Sequence, residues 1–139
     1  MTTKEKILRE IQRVAKRVYD ELGAGHGEAI YRDAMSLDLQ EKGYMVKTEA
    51  PISIRYNTSK GKDMIVGSGK IDLIVSKKDS FAVIELKAIG RLLKDGGKET
   101  KEEKKEYIQL QKYLNALDQD CGVLINFPFP SENEPEVIM

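Results

Sequence analysis

Cysteine and histidine are nearly absent from this sequence, which contains one of each, Cys121 and His26. A single cysteine excludes a disulfide bond within the chain and is typical of a protein of the reducing cytoplasm, where we expect this one. The two residues also cannot form a zinc site built from cysteine and histidine within one chain. Any metal ion would therefore be held mainly by oxygen atoms.

An excess of charge of either sign is also missing, because 23 basic residues balance 23 acidic residues. A protein dedicated to duplex DNA usually carries a basic excess, since phosphate contacts dominate its affinity. The balance weakens an interpretation based on nucleic acid, although charge can still be segregated to one face of the molecule. It predicts modest, salt-sensitive binding.

Long apolar runs are missing as well. The apolar runs are no longer than a strand, so we expect no transmembrane helix and no membrane partner. The first ten residues, MTTKEKILRE, are charged almost at once, so we expect no signal peptide. A length of 139 residues fits one domain with its own core. We predict a single domain over residues 1–139, with a loose tail at residues 131–139.

Helical periodicity is present in three segments. Apolar residues recur at helical spacing from Thr3 to about Leu22, which predicts an amphipathic first helix. A second helix is predicted from Glu28 to about Lys42, with Gly43 as its C-cap, and a third from Glu102 to Leu117. The apolar faces expected for the second and third helices consist of Ile30, Ala34 and Leu37, and of Tyr107, Leu110, Leu114 and Leu117.

The other apolar segments predict strands. Residues 45–56 form an extended segment in which Pro51 favours an edge position or a bulge, and a short strand is expected at residues 64–66. Residues 121–127 follow a helix that follows a strand, so a crossover would make this strand parallel to the one that contains Glu85. Residues 137–139 would add an edge strand. Between residues 91 and 106 we expect a mobile loop that passes into a helix.

The strongest functional signal lies in residues 69–87, where two apolar strands flank a short polar turn. If the turn is centred on residues 78 and 79, Asp72 lies opposite Glu85. Because side chains alternate along a strand, Glu85 and Lys87 share a face, and Asp72 meets them there. Two facing carboxylates repel each other. A divalent cation bound by both is the economical explanation and points to metal-assisted hydrolysis.

Two alternatives stay open for this segment. A shift of the pairing by one residue would turn Asp72 to the other face of the sheet. An ordinary buried ion pair of Lys87 with Glu85 or Asp72 would explain the same charges without catalysis.

The set of charged residues resembles the PD-(D/E)xK nuclease superfamily. In that pattern an acid on an early helix, an aspartate, an E-x-K pair and, in some branches, a glutamine on a later helix mark the active centre. The matching residues are Glu28, Asp72, Glu85-Leu86-Lys87 and Gln109. The resemblance implies an α/β (α+β) fold with a restriction-endonuclease-like core, in which helices flank a central mixed sheet of four to five strands.

A closer resemblance is to the small GxxExxY protein family within that superfamily, because residues 25–31 read G-x-x-E-x-x-Y. Four further stretches are similar to the family, namely IDLIV at residues 71–75, IELKAI at 84–89, IQLQKYL at 108–114 and GVLINF at 122–127. The sequence departs from the superfamily pattern at Gly69-Lys70, where the name of the superfamily would place a proline near the aspartate.

The resemblance implies a site for Mg²⁺ or Mn²⁺, since both ions prefer oxygen ligands. Asp72 and Glu85 would bind the ion directly, with the carbonyl of Leu86 as a third ligand. Glu28 would bind through water or hold a second ion. Lys87 would stabilise charge in the transition state, because nearby carboxylates favour its charged form.

Three further residues receive roles from the same resemblance. Gln109 would place a water molecule or a phosphate, and it lies at i and i+4 with Tyr113 on the third helix. Tyr113 would contact the substrate, and Tyr31 would either contact the substrate or brace Glu28.

The leading hypothesis is a Mg²⁺- or Mn²⁺-dependent nuclease, acting as an endo- or exonuclease on DNA rather than RNA. The alternative is a catalytically silent module that keeps the fold to bind nucleic acid or a protein partner. Lysines between residues 94 and 105 either contact phosphates or form a solvated face. Phe127 and Phe129 either close the core or pack a dimer interface, which would make the protein a homodimer.

Overall fold

The computed structural model describes residues 2–90, 93–94, 98–99, 101–129 and 134–139. Within these ranges the helices are α1 (Thr3–Leu22), α2 (Glu28–Glu41) and α3 (Lys101–Leu117). The strands are β1 (Met45–Asn57), β2 (Asp63–Lys77), β3 (Ser80–Lys87), β4 (Leu93–Lys94), β5 (Lys98–Glu99), β6 (Gly122–Asn126) and β7 (Glu136–Ile138).

One mixed sheet organises the fold, with the strand order β1-β2-β3-β6-β7. β3 and β6 run parallel, and the other neighbouring pairs run antiparallel. The parallel pair is joined by a crossover that includes α3, as predicted. β1 lies at one edge of the sheet. This position suits Pro51, because proline has no N–H to donate and an edge strand has hydrogen-bonding partners on one side only. β4 and β5 pair only with each other.

Helices cover both faces of the sheet. On one face, Ala82, Ile84 and Leu86 of β3 pack in the same cluster as the buried residues of α1 and α2. On the other face, Val83 packs with Leu110 and Leu114 of α3. β3 is apolar on both faces because it is covered on both. No described helix is long and apolar enough to cross a membrane.

The β2–β3 hairpin has the predicted register. Its pairs run from Lys77 with Ser80 to Leu73 with Ile84, and the next pair in this series is Asp72 with Glu85. The alternative with a shift of one residue is therefore excluded. β2, however, is longer than predicted: residues 64–66 and the glycines after them belong to the same strand as Asp72.

The predicted apolar face of α2 is wrong for Ile30 and Leu37, although the third predicted residue, Ala34, packs against the core. Tyr31, Met35 and Leu39 are fully buried, whereas Ile30 is exposed and Leu37 is 66% exposed. Residues 31, 35 and 39 also follow a helical spacing, so the periodicity alone does not select between the two stripes. The larger stripe is buried because the ring of Tyr31 stacks on Phe127, with 4.2 Å between ring centroids.

The predicted face of α3 needs a smaller correction. Leu110 and Leu114 are buried as expected, but Tyr107 is 42% exposed and Glu106 takes the inward position. The side chains of residues 91–103, which include most of the predicted mobile loop and several of its lysines, lie outside the described part of the chain.

The carboxyl end of the chain is partly paired. β7 joins β6 through the pairs Leu124 with Ile138 and Ile125 with Val137, so the predicted edge strand forms where we also expected a loose tail. Residues 130–133 lie outside the described residues. Phe127 is buried and closes the core, whereas Phe129 is exposed.

Candidate functional site

Asp72 and Glu85 are held against each other by the backbone of the opposite strand. The N–H of Asp72 donates to Oε1 of Glu85 over 3.3 Å, and the N–H of Leu86 donates to Oδ2 of Asp72 over 2.8 Å. Each carboxylate therefore takes a backbone hydrogen bond across the hairpin. The two acids face each other at the end of the β2–β3 ladder, where the sequence predicted them.

The regular alternation of β2 is interrupted next to Asp72. Ile71 packs in the cluster of α3, whereas Leu73, two residues later, packs in the cluster of α1 and α2. Regular alternation would place both on one face. Opposite this point, the β1–β2 pairing skips Glu49, whose φ is 47°. The strand thus changes its facing at Asp72, a local irregularity of the kind found next to functional sites.

Lys87 forms an ion pair with Glu106 of α3, in which Nζ and Oε1 are 3.2 Å apart. The ion pair therefore differs from the alternative left open above, in which Lys87 pairs with Glu85 or Asp72. Glu106 is only 6% exposed, and sequence analysis did not assign it to the site. The signal that would have revealed Glu106 is its position four residues before Leu110 and eight before Leu114, which places it on the buried side of α3.

The carbonyl of Leu86 points away from β6. Val83 donates its N–H to Cys121, and Lys87 accepts from the N–H of Phe127, so the odd-numbered residues of β3 bond to β6. Backbone groups of successive residues alternate between the two neighbouring strands. The backbone groups of Leu86 therefore face the edge occupied by Asp72, where its N–H is bonded.

Glu28 is the first residue of α2 and follows a glycine-rich turn in which Gly25 has a φ of 96°. Tyr31, one turn later, donates its hydroxyl to the carbonyl of Gly23 over 2.6 Å. Because Tyr31 is fully buried, it has no surface for a substrate, and the predicted substrate contact is wrong. Its placement fits the other predicted role, since it braces the turn that leads into Glu28.

Gln109 and Tyr113 are neighbours on α3, and Nε2 of Gln109 donates to the Tyr113 hydroxyl over 3.2 Å. Tyr113 is buried against the backbone of β2 at Gly69. A Cβ atom at Gly69 would lie 2.6 Å from the Tyr113 hydroxyl, so only glycine leaves room for this ring. The glycine in place of a proline near the aspartate thus has a packing reason.

A family model described as the PD-(D/E)XK nuclease superfamily matches residues 5–137. The chain belongs to the PD-(D/E)XK nuclease superfamily. The match begins within α1 and ends within β7, and it includes the whole of every helix and strand between them. A search of curated proteins finds no match to this chain.

In this superfamily member, the charges of the site shift one another's pKa values. Burial, with the charge of Asp72 next, raises the pKa of Glu85 to about 8. Burial also raises the pKa of Asp72 and of Glu28, although the Leu86 N–H and the Lys87 charge respectively act against it. Burial acts to lower the pKa of Lys87, but the hydrogen bond and charge of Glu106 outweigh it and the net shift is upward. Lys87 is therefore a cation at neutral pH.

The acids suit a hard divalent cation. Among the described residues, no three acidic, histidine or cysteine side chains form a group that could hold a metal ion. The donor set consists instead of two paired carboxylates, Asp72 and Glu85, with the carbonyl edge of Leu86 beside them. Buried carboxylates that favour their protonated forms are groups whose charge a cation would compensate, and oxygen is the ligand that Mg²⁺ and Mn²⁺ prefer.

The raised pKa of Glu85 predicts a pH-dependent stability without metal. A carboxyl whose pKa is raised in the folded state stabilises the fold below its unfolded pKa, and this contribution is lost as pH rises toward 8. In chelator, urea unfolding should show that the wild type loses on the order of 2 kcal/mol between about pH 5 and about pH 8. Glu85→Gln should lose much less, because it cannot ionise.

The control for this measurement is Glu41→Gln, which neutralises an exposed acid at the end of α2. It should follow the wild type. If Glu85→Gln and wild type had the same pH dependence, the ionisation of Glu85 would be ruled out as its cause.

Proposed function

We propose that this chain is a metal-dependent nuclease that uses Mg²⁺ or Mn²⁺ to hydrolyse phosphodiester bonds, with DNA as the preferred substrate. The observation that carries the proposal is the Asp72–Glu85 pair, in which a partly buried and a buried carboxylate are each held by the opposite strand. Two carboxylates forced together in this way are costly unless a cation compensates them. Membership of the superfamily supports the same interpretation.

We also propose membership of the GxxExxY family. The motif at residues 25–31 is supported by a physical role for each of its fixed positions. Gly25 has a positive φ, Glu28 begins α2, and Tyr31 ties the helix to Gly23 through its hydroxyl. The motif thus serves to present Glu28 at the edge of the site.

The proposed metal ligands are Asp72, Glu85 and the carbonyl of Leu86, with Glu28 in contact through water or on a second ion. When bound, the ion supplies positive charge against the phosphate oxygens and helps a water molecule lose its proton. Asp72 and Glu85 would hold the ion in place, and the positive charge of the ion would favour the ionised form of both carboxyl groups. Glu28 is close enough for the charges of Lys87 and Asp72 to shift its pKa.

Lys87 and Gln109 act on the substrate side of the site. Because Lys87 keeps its proton, its proposed role is electrostatic: it stabilises the charge that grows on the phosphoryl group. The ion pair with Glu106 would hold the ammonium group of Lys87 in position, where the Lys87 side chain is only partly exposed to water. Gln109, held by its contact with Tyr113, would place the attacking water or a phosphate oxygen.

The test is cleavage of end-labelled single-stranded DNA, duplex DNA and RNA at low salt, with Mg²⁺, Mn²⁺ or chelator. We expect metal-dependent cleavage that is fastest on DNA and absent in chelator. Purified protein that binds no divalent ion and cleaves none of the three would overturn the proposal. Nucleic-acid binding that survives both chelator and Lys87→Ala, without cleavage, would favour the catalytically silent module instead.

A further inference from the structure

A groove of about 500 Å³ runs between α3 and the β1–β2 hairpin, next to the paired carboxylates. Its wall on α3 contains Lys105, Ile108, Gln109 and Lys112, and these residues share one side of the helix because they are spaced by three and four positions. The groove is separate from the apolar core, because the side of α3 that lines it is next to, and not the same as, the side that carries the buried residues Leu110 and Leu114.

Two lysines give this wall a positive charge. Lys105 and Lys112 are exposed and make no ion pair with any residue that the structure describes. They lie seven residues apart, which is about 10 Å along a helix. In a chain of zero net charge, two cations without an acidic partner on one side of a helix form a local site for an anionic polymer.

An apolar surface lies between the two lysines. Ile108 is 55% exposed, and Ile54 of β1 faces it across the groove. We call the β2 surface beside Ile54 the floor of the groove. No side chain rises from it at the position paired with Ile54, because that residue is Gly67. An exposed isoleucine is not unusual alone, but here it lies over a low floor between two cations.

The groove leads into the candidate active centre. Gln109 and Tyr113 line the groove, and the charges of Glu85 and Asp72 also act on the Tyr113 hydroxyl. A ligand that lies in the groove would therefore reach the residues that are proposed to hold the metal and the water.

We propose that this groove binds an unpaired nucleic-acid strand beside the phosphodiester bond that is cleaved, so that the substrate class is single-stranded nucleic acid. This inference rests on the proposed nuclease function. In duplex DNA the bases are stacked inside the helix, so a protein that does not enter the major or minor groove of the DNA contacts only phosphate and sugar. An unpaired strand presents phosphates and apolar base faces together, and lysines beside an apolar surface match both.

The test measures binding in chelator, where cleavage does not occur, by fluorescence anisotropy with oligonucleotides of about twelve residues. The probes are single-stranded DNA, single-stranded RNA and a DNA duplex of the same sequence. The groove variants are Lys112→Ala and Ile108→Ala. Their matched controls are Lys6→Ala, an exposed lysine of α1, and Leu37→Ala, an exposed apolar residue of α2.

We expect the wild type to bind single strands more tightly than the duplex. Lys112→Ala should weaken single-strand binding about 3- to 10-fold and reduce the salt slope by about 0.7. Ile108→Ala should weaken it about 5-fold or more with an unchanged salt slope, because it removes an apolar contact. Both control variants should stay within about 2-fold of the wild type.

Several outcomes would overturn the inference: no binding of single strands, groove variants that behave like their controls, or a duplex bound at least as tightly as the single strand. Dimerisation that Ile108→Ala abolishes would also overturn it, because the occupant would be a second copy of the chain. If these losses occur as expected but no strand is cleaved with Mn²⁺, the nuclease proposal fails and the groove assignment stands. If a strand is cleaved but the groove variants do not weaken binding, the groove assignment fails and the nuclease proposal stands.

Discussion

Replacement of Asp72 by asparagine is expected to abolish Mn²⁺ binding in calorimetry and to lower the cleavage rate by about a hundredfold or more. The reason is that the substitution removes a charged ligand and little else. The asparagine oxygen can still accept from the N–H of Leu86, the hydrogen bond that holds Asp72 in place. A loss of binding would therefore report the missing charge rather than a disrupted hairpin.

Asp79→Asn provides the matched control, because Asp79 is an exposed acid in the turn of the same hairpin. It should bind and cleave like the wild type. Circular dichroism and urea unfolding should give similar curves for both variants at about pH 5, where the repulsion between Asp72 and Glu85 is relieved. Retention of Mn²⁺ affinity by Asp72→Asn would exclude Asp72 as a ligand and with it the proposed metal site.

Replacement of Lys87 by methionine is expected to lower the cleavage rate about a hundredfold or more while leaving Mn²⁺ binding within a few-fold of the wild type. Methionine has a similar length but no charge, so it removes the stabilisation of phosphoryl charge and keeps the packing of the stem. Glu106→Gln should cause a smaller loss, about tenfold, because the ammonium group remains and only its anchor is weakened.

The single variant Lys87→Met removes the lysine that pairs with buried Glu106, which should destabilise the fold by about 1–3 kcal/mol. The double variant Lys87→Met with Glu106→Gln removes both charges and should recover most of that stability. Cleavage should stay lost in the double variant. If cleavage returned together with stability, Lys87 would have a structural role and no part in the chemistry.

Much of the site was predictable because its parts are local in the chain. The register of the β2–β3 hairpin depends on a turn of two residues, and once the turn is placed, Asp72 must meet Glu85. The order of elements likewise determined that β6 returns parallel to β3.

The ion-pair partner of Lys87 could not be predicted from residues close to it in the chain. The alternative interpretation paired Lys87 with Glu85 or Asp72, its neighbours in the hairpin. The residue that forms the ion pair is Glu106, which lies on α3 across the face of the sheet. Its position depends on how α3 rotates as Leu110 and Leu114 pack. The sequence of α3 permits several rotations, and only the packed sheet selects one.

The same limit applies to α2. Two stripes with helical spacing compete on this helix, and the stack of Tyr31 on Phe127, ninety-six residues later, decides which one is buried. The sequence therefore left Tyr31 either to contact the substrate or to brace Glu28, and in the structure its ring is buried in the core. Glu28, on the first turn of α2, lies close enough to Lys87 and Asp72 for their charges to act on its pKa, and the turn before it is braced by the Tyr31 hydroxyl.

By itself, the sequence determined the three helices, the parallel return of β6, the hairpin register and the paired acids, since these follow from periodicity and from contacts between residues close in the chain. The tertiary structure alone decided the partner of Lys87, the burial of Tyr31 and the groove beside Gln109. These features arise where separate elements pack, and the packed volume, rather than any local pattern, selects which side of each helix and strand turns inward.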